Sequence, residues 1–325
     1  MHRNSIKNRG YMYLIIEYVL FTIVLYLYSP FIQIFAKRIG AKDIHIALLN
    51  AAPALVAILV LVPCSILIEK LNHKKKTILV LLFINSLFYA AISFVPAISN
   101  KIRVILYVVL IGLMNWPNSL YNSTVQSFIA DNFDGPRLNR IISLRSKYGA
   151  LFGFITVLIT GLLLTNVPGS DRERLLLYQI FYGMCFLLTI LQMGIFSRID
   201  LQQSSWKDNK QSVSILQSSI LKDMISNKSY LVFCICGFVF YYTWQMGWPL
   251  ISIYFIDYAG LNEFQISLVS VVTGLSQFLT YSMWNRLIDK KGCRMVIIFG
   301  AAGIAINAFF FTTKLNFSAI LAAYL

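Results

Sequence analysis

The sequence predicts an all-α fold, a polytopic membrane helix bundle built from two repeated halves. The composition is the first observation: 58% of the residues are hydrophobic, 13% are charged, and the mean hydropathy is +0.70. Soluble domains carry about 25% charged residues. The second observation is a series of apolar runs of about 18 or more residues, a length that crosses a bilayer as a helix. The third is a charged loop sequence that occurs twice.

The charge distribution predicts the orientation of the chain in the membrane. The formal net charge is +15, with 28 Lys and Arg residues against 13 Asp and Glu. When the loops are assigned alternately to two sides, most of these cations fall on the side of the N-terminus. Cytoplasmic loops of membrane proteins carry such an excess of Lys and Arg. We therefore expect a multi-pass plasma-membrane protein with a cytoplasmic N-terminus, embedded in the lipid bilayer and without a nucleic-acid partner.

The five cysteines indicate neither a disulfide nor a metal site. They lie in or at the ends of apolar runs, where free Cys behaves as a small hydrophobic residue: Cys64, Cys185, Cys234, Cys236 and Cys293. No pair has the loop spacing of a zinc or disulfide motif. We expect no metal and no cofactor.

The first half, residues 1–197, contains six predicted spans. Their bounds are Tyr11–Phe35, Ile44–Pro63, Thr77–Ala97, Lys101–Ile129, Tyr148–Leu164 and Leu175–Phe196. Residues 198–228 then form a polar stretch rich in Ser, Gln and Lys, which we interpret as a cytoplasmic linker. Apolar residues recur in it at helical spacing and predict an amphipathic helix on the membrane surface. They are Val213, Leu216, Ile220 and Met224.

The second half, residues 229–325, contains three further spans and the beginning of another. The predicted bounds are Ser229–Ile256, Phe264–Trp284, Met295–Thr313 and the short run Asn316–Leu325. A helix of about ten residues rises only about 15 Å, roughly half the hydrocarbon thickness. We therefore expect the chain to be truncated at its C-terminus, inside a tenth span.

Two charged loops, which we call the hinges, indicate that the halves are related. The first hinge, Ser65–Lys76, reads SILIEKLNHKKK, and the second, Asn285–Arg294, reads NRLIDKKGCR. Each hinge follows an apolar run and places one acid, Glu69 or Asp289, before a group of cations. Further pairs match at nearly the same spacing: Pro30 with Pro249, Ile32 with Ile251, and Gly40 with Gly260. The chain therefore contains an internal repeat of parallel halves, one way in which transporters are built.

The hinges resemble the loop pattern G-x-x-x-D-[RK]-x-G-[RK]-[RK] of the major facilitator superfamily. The second hinge keeps Asp289, Lys290, Gly292 and Arg294 but has Asn285 for the opening Gly. The first hinge departs from the pattern at Ser65, Glu69 and Asn72. The resemblance covers the whole chain. It implies a transporter of small molecules with two six-helix halves, of which about ten of twelve helices are present, and we expect a monomer.

The resemblance also implies a gating role for the hinges. In that family the hinge acid is thought to hold the halves closed on the cytoplasmic side. The residues concerned here are Glu69, Lys70, Asp289, Lys290 and Arg294. A carboxylate near a helix N-terminus is stabilised by about 0.3–1 kcal/mol when exposed, which can bias a two-state gate. The alternative is that both acids are solvated loop residues among cations.

The fourth span carries the most polar stripe of the chain. The polar side chains of its segment NWPNSLYNSTVQ that share one helical face are Asn115, Asn118, Ser119, Asn122 and Gln126. Polar groups at membrane depth face the bundle interior or a watery cavity. We therefore predict that Asn115, Asn118, Asn122 and Gln126 contact a substrate. The alternative is that they form interhelical hydrogen bonds.

The seventh span offers a second wall for such a cavity. Its segment FYYTWQMGWP combines aromatic faces with hydrogen-bonding edges, and we predict that Tyr241, Trp244 and Gln245 contact substrate. Pro249 loosens the helix beside them. The first span repeats this arrangement with Tyr26, Tyr28 and Pro30. The alternative is an aromatic belt at the membrane interface.

Glu17 is the one acid that we place inside a span. A membrane-embedded carboxylate is by default a functional residue, and here it predicts proton coupling. The alternative is a structural ion pair with Arg145 or Lys147 near the inner end of the bundle.

These features together favour a secondary transporter that works by alternating access on a neutral or amphipathic solute. Few charges lie inside the spans, and a polyanion would need buried cationic partners. A drug efflux antiporter is one alternative, although Phe154 stands where the resemblance leads us to expect a proline after the glycines. A non-transporting sensor or scaffold is another. An enzyme is disfavoured, because the three His residues lie in loops or near helix ends.

Overall fold

The computed structural model describes residues 2–70, 74–133, 135–166, 170–199, 226–310 and 316–324. Within these ranges the chain forms helices and no strand, so the all-α prediction is confirmed. The predicted amphipathic segment of the linker, Val213 to Met224, lies outside the described residues, as does most of the linker.

The described residues form eleven α-helices, which we number in chain order. They are α1 (His2–Tyr28), α2 (Ile32–Arg38), α3 (Asp43–Lys70), α4 (Lys74–Ser93), α5 (Asn100–Asn132), α6 (Gly135–Asn166), α7 (Asp171–Ser197), α8 (Lys228–Ile253), α9 (Glu263–Lys291), α10 (Cys293–Phe310) and α11 (Phe317–Ala323). Two 3₁₀ turns, Ser29–Phe31 and Val95–Ala97, and one π-helical turn, Tyr254–Tyr258, interrupt or extend them.

Each predicted span corresponds to a helix, with α1 and α2 together forming the first. Several helices continue beyond the predicted apolar run into the charged residues, as α3 does to Lys70 and α9 to Lys291. Six helical segments in the described part of the chain are long and apolar enough to cross a membrane. They are Gly10–Arg38, Lys74–Ala97, Ile102–Asn132, Arg140–Asn166, Asp171–Ser197 and Lys228–Tyr258.

The bundle has two ends, which we call the hinge face and the outer face. At the hinge face Lys74 donates to Asp131 at 2.5 Å, and Lys75 donates to the carbonyl of Ile199 at 2.7 Å. The outer face carries the loop around Gly40 and the beginnings of α7 and α9. The charge distribution predicts that the hinge face is cytoplasmic.

The first six spans form the N-terminal half (α1–α7), in which α1 packs against α6 and α7, α4 packs against α5 and α7, and α3 packs against α5. Near the outer face an aromatic cluster fills the core, with Phe35 in edge-on contact with Tyr107 at a centroid distance of 5.0 Å. The hydroxyls of Tyr107 and Tyr182 lie 3.0 Å apart, so these buried phenols satisfy each other.

Glycines let α6 approach α1 closely. A Cβ added at Gly149 would lie 2.7 Å from the ring of Tyr18, and one added at Gly153 would lie 2.6 Å from the ring of Tyr26. Real side chains do not tolerate such distances, so the two tyrosines occupy notches that only glycine provides. This is the close packing that small residues four apart favour in membranes.

The C-terminal half (α8–α11) joins the N-terminal half mainly through α6 and α9. The contact is reciprocal: the side chain of Ser267 on α9 lies against Gly161 of α6, and the ring of Phe154 on α6 lies against Gly274 of α9. A Cβ added at either glycine would come within 2.4 Å of its partner. The two halves therefore interlock along this pair of helices.

Two features of the backbone recur at positions that the sequence repeat pairs. Gly40 has a φ of +95° and Gly260 a φ of +61°, so the two matching glycines both adopt the left-handed conformation that side chains disfavour. In both halves the outer end of the first helix is irregular: Pro30 lies in a 3₁₀ turn, and a π-helical turn follows Pro249. Such irregular turns are frequent at functional sites.

Candidate functional site

A cavity of about 420 Å³ lies between the two halves. The first span contributes Tyr26, Ser29, Gln33 and Ile34. Helix α8 contributes Trp248 and Ser252, and the π-helical turn after it contributes Phe255 and Ile256. Helix α9 forms the third wall with Ser270, Thr273, Gly274 and Gln277. All the described residues that line the cavity are uncharged, and they combine aromatic rings with hydroxyl and amide groups. Its size and lining fit a pocket for a small molecule.

A second cavity of about 470 Å³ lies at the outer face. Its lining is charged and includes Lys37, Arg38 and Asp171. Ile34 and Ile256 line both cavities. These two isoleucines, one from each half, therefore stand between the charged vestibule and the uncharged cavity.

A set of ion pairs, which we call the outer latch, joins the halves above the isoleucines. The ammonium group of Lys37 lies 2.6 Å from Asp257 of the C-terminal half and 2.6 Å from Asp43 of its own half. Arg38 donates from Nε and Nη2 to the same oxygen of Glu263, at 3.0 and 2.8 Å. Arg38 also donates to Asp171 at 3.2 Å, but that carboxylate is 80% exposed.

Glu263 is the best shielded member of the outer latch, since only 2% of its side chain is exposed. Removing one partner from a buried ion pair leaves an uncompensated charge, which costs about 3–5 kcal/mol. Exposed pairs such as Arg38–Asp171 contribute about 0–1 kcal/mol. Among the ion pairs of the outer latch, Arg38–Glu263 is therefore the one that most strongly holds the two halves together.

Two members of the outer latch are separated along the chain by the spacing of the internal repeat. Lys37 and Asp257 are 220 positions apart, which is also the spacing of Glu69 and Asp289 in the two hinges. The same spacing relates Asp43 to Glu263. Because the residues at positions 37 and 257 carry opposite charges, their contact attracts the two halves to each other.

A polar cluster around Glu17 lies deep in the N-terminal half, toward the hinge face. Glu17 is fully buried and accepts hydrogen bonds from Tyr121, from Gln192 at 2.8 Å and from Arg145 at 3.2 Å. Gln192 also donates to the Tyr121 hydroxyl at 2.8 Å. Four helices, α1, α5, α6 and α7, thus meet at one carboxylate.

The Glu17 cluster is connected to the cavity through the contact between α1 and α6. The guanidinium carbon of Arg145 lies 4.6 Å from the centre of the Tyr18 ring, and Tyr18 occupies the notch at Gly149. One turn and two turns further along, Thr22 also approaches Gly149, and Tyr26 occupies the notch at Gly153. Tyr26 lines the cavity and contacts Phe154 edge-on at 6.3 Å.

The four predicted substrate residues of α5 do not line the 420 Å³ cavity. Asn115 donates to the carbonyl of Pro53 on α3 at 2.7 Å, and Asn122 donates to the carbonyl of Asn118 at 3.1 Å. The side-chain oxygen of Asn118 is buried without a hydrogen-bond partner among the described residues. Gln126 is exposed. The Asn115 contact matches the alternative of an interhelical hydrogen bond, whereas Asn118 retains a free acceptor.

The three predicted substrate residues of α8, Tyr241, Trp244 and Gln245, are exposed and lie one to two turns from the cavity. The aromatic rings form a row of edge-on contacts, Tyr241 with Trp244 at a centroid distance of 6.1 Å and Trp244 with Trp248 at 6.0 Å. Of these three aromatic residues, Trp248 lines the cavity.

The hinge residues are described only in part. Glu69, Lys70 and Asp289 lie in helices whose backbone is described, but their side chains lie outside the description. Lys290 and Arg294 are exposed, and Gly292 between them has a φ of +78°. A glycine in this conformation provides the sharp turn between α9 and α10. Lys74 of the first hinge reaches Ser127 at 2.6 Å as well as Asp131.

The sequence analysis did not single out Lys37, Arg38, Asp257 and Glu263, nor the cavity amides Gln33 and Gln277. The repeat offered a signal for the first group, because its spacing brings Lys37 opposite Asp257. In the described part of the chain no group of three or more His, Cys, Asp and Glu side chains could hold a metal ion.

A family model described as Major Facilitator Superfamily matches residues 14–325, nearly the whole chain. A search of curated proteins finds no match.

Proposed function

Since the chain belongs to the major facilitator superfamily, a family of membrane transporters, we propose that it is a secondary active transporter working by alternating access. The solute that we propose is small and neutral or amphipathic. The observation that carries this proposal is an uncharged cavity between the halves that is separated from the outer face by Ile34, Ile256 and the outer latch.

In the alternating cycle, the described conformation corresponds to the state with the outer face closed. Opening that face requires the separation of Lys37 from Asp257 and of Arg38 from Glu263. We propose that Glu69, Lys70, Asp289, Lys290 and Arg294 then hold the hinge face closed. Each face would thus have its own set of charges, and rocking of one half against the other would break one set as it forms the other.

The proposed substrate site is the cavity, with α5 as an extension toward the hinge face. We propose that Asn118, Asn122 and Gln126 of α5 meet a solute once the halves change their relative position. Tyr241, Trp244 and Gln245 of α8 would act in the same way from the opposite half. Asn115 contributes through its bond to Pro53, which holds α5 against α3.

Proton coupling through Glu17 is the next part of the proposal. Protonation of Glu17 would remove the attraction of Arg145, which would then bear an uncompensated charge in a buried site. Because Arg145 stacks on Tyr18 in the α1–α6 contact, this change would reach Tyr26 in the cavity wall. A purely structural ion pair would use the same Glu17–Arg145 contact but would leave transport independent of protons.

A drug efflux antiporter is a second candidate function. The position at which such antiporters are expected to carry proline holds Phe154, which here packs against Gly274 of the other half. A non-transporting sensor or scaffold would keep the outer latch closed permanently. For location, we propose the plasma membrane with the N-terminus in the cytoplasm, and a monomer as the working unit.

Transport by the purified chain in proteoliposomes tests this proposal. We expect solute to accumulate in the lumen under an imposed pH gradient, and Glu17→Gln to abolish the dependence on that gradient while solute still binds. Unchanged coupling in Glu17→Gln would remove Glu17 from the mechanism. Solute that binds but never crosses would favour the sensor.

A further inference from the structure

The hydrogen-bonding groups in the wall of the cavity indicate the chemical class of the substrate. This inference rests on the proposed transport function. Three hydroxyl groups in its wall already use their protons within the protein. Ser252 donates to the carbonyl of Trp248 at 3.1 Å, Ser270 to that of Ile266 at 3.1 Å, and Thr273 to that of Val269 at 2.8 Å. Each hydroxyl therefore presents only lone pairs to the cavity. A ligand at these positions has to supply hydrogen-bond donors.

Two side-chain amides in the cavity wall have hydrogen-bond donors and acceptors that are not used within the described part of the protein. Gln33 on α2 and Gln277 on α9 line the cavity from opposite halves, and neither makes a side-chain hydrogen bond to another described residue. Each amide offers two N–H donors and one carbonyl acceptor. A ligand that spans the cavity would therefore meet donors and acceptors at both ends. Hydroxyl groups, which donate and accept at once, match this combination.

Aromatic rings form the rest of the wall. Tyr26 comes from the first half, and Trp248 and Phe255 from the second. Rigid aromatic faces bury flat apolar surface at a small entropic cost. A saturated ring whose hydroxyl groups point outward from its edge has two flat apolar faces of C–H groups, which can pack against these aromatic rings.

Charged ligands fit this cavity poorly. Asp257 and Glu263, the acids of the C-terminal half in the outer latch, do not line the cavity and are paired with Lys37 and Arg38. A lipophilic cation or a phosphorylated solute would thus meet no opposite charge among the described lining residues, and an unpaired charge at membrane depth is costly. We propose that the cavity binds a neutral polyhydroxylated ring compound, of the monosaccharide or cyclic polyol class.

Ligand binding and transport by the purified full chain test the proposal. The probes are D-glucose, D-galactose, D-mannose and myo-inositol as neutral compounds, glucose 6-phosphate as an anion, and tetraphenylphosphonium as a lipophilic cation. Thermal stabilisation and counterflow in proteoliposomes are measured for each. We expect at least one neutral compound to stabilise the protein and to exchange across the membrane, with no response to the two charged probes.

Variants locate the binding site. Gln33→Ala and Gln277→Ala each remove hydrogen bonds to the ligand and should weaken its binding by about tenfold. Trp248→Ala should weaken it by a similar factor. Gln179→Ala, on α7 and outside the cavity, is the matched control and should leave binding unchanged. Equal binding by the three cavity variants and the parent would overturn the proposal.

The outcomes also separate this proposal from the transport function. Counterflow of tetraphenylphosphonium or glucose 6-phosphate would overturn the substrate class while the transport function stands. Absence of any response to all four neutral compounds, in a preparation that melts cooperatively, would overturn the substrate class as well. A bound neutral compound that fails to exchange in counterflow would support the substrate class and contradict transport.

Discussion

Removal of the Glu263 charge should open the outer face. In the structure Glu263 is almost completely buried and accepts two charge-assisted hydrogen bonds from Arg38. Hydrogen bonds to charged groups contribute about 1.5–3 kcal/mol each. The Arg38 side chain is 25% exposed, and Asp171 offers it a second partner, so we take the loss in Glu263→Gln as about 2 kcal/mol in all. A change of this size raises the population of the outward-open state about 30-fold.

The assay measures access to the cavity from outside. Ser29 lines the cavity, and a cysteine at this position, in a chain lacking its five native cysteines, can be labelled in intact cells by a membrane-impermeant maleimide. If opening is fast compared with labelling, the rate follows the open population. We expect Glu263→Gln to raise the rate of labelling of this cysteine about 30-fold.

Asp43→Asn is the matched control, because Asp43 is the equivalent acid of the first half. It is 67% exposed and pairs with Lys37 within its own half, so its loss breaks no contact between the halves. Its labelling rate should stay close to that of the parent. Equal rates in Glu263→Gln and the parent, or an increase in Asp43→Asn as large as that in Glu263→Gln, would refute the role assigned to the outer latch.

Three further predictions follow from the same contacts. Lys37→Asp or Asp257→Lys alone places like charges at this contact and should accelerate labelling of the Ser29 cysteine. The double exchange restores an attractive pair and should return the labelling rate toward that of the parent. Additive effects of the two substitutions on the rate would contradict the pairing. Glu17→Ala leaves Arg145 buried without its carboxylate and should lower the free energy of unfolding by about 3–5 kcal/mol. Lys147→Ala, at an exposed position, is the control and should melt at the same temperature as the parent. Gly153→Val forces a side chain into the Tyr26 ring and should destabilise the protein by about 1–3 kcal/mol, while Gly194→Ala, with nothing within 4 Å of an added Cβ, should change the melting temperature little.

The architecture could be predicted from the sequence because lipid imposes strong local rules. A span needs a long apolar run, and each predicted run corresponds to a helix. The rule that polar groups avoid lipid also identified Glu17 and offered Arg145 or Lys147 as its partner, of which Arg145 makes the contact. Gly40 and Gly260 illustrate the internal repeat, since the matched positions share the same backbone conformation.

The outer latch and the cavity could not be predicted in this way, because they depend on contacts between distant segments. Lys37 and Glu263 look like ordinary loop charges until the halves are placed together. Gln33 and Gln277 are single amides in apolar helices, so the longer stripe of α5 gave the stronger local signal. Their proposed role rests on the fact that both line one cavity from different halves, which no local pattern encodes.

Paired distance measurements test alternating access most directly. Spin labels at the exposed positions Lys42 and Tyr258 report the outer face, and labels at Ser197 and Lys291 report the hinge face. In Glu263→Gln we expect the outer distance to lengthen while the hinge distance shortens. Outer and hinge distances that both remain at the parent value, or that lengthen together, would contradict the account.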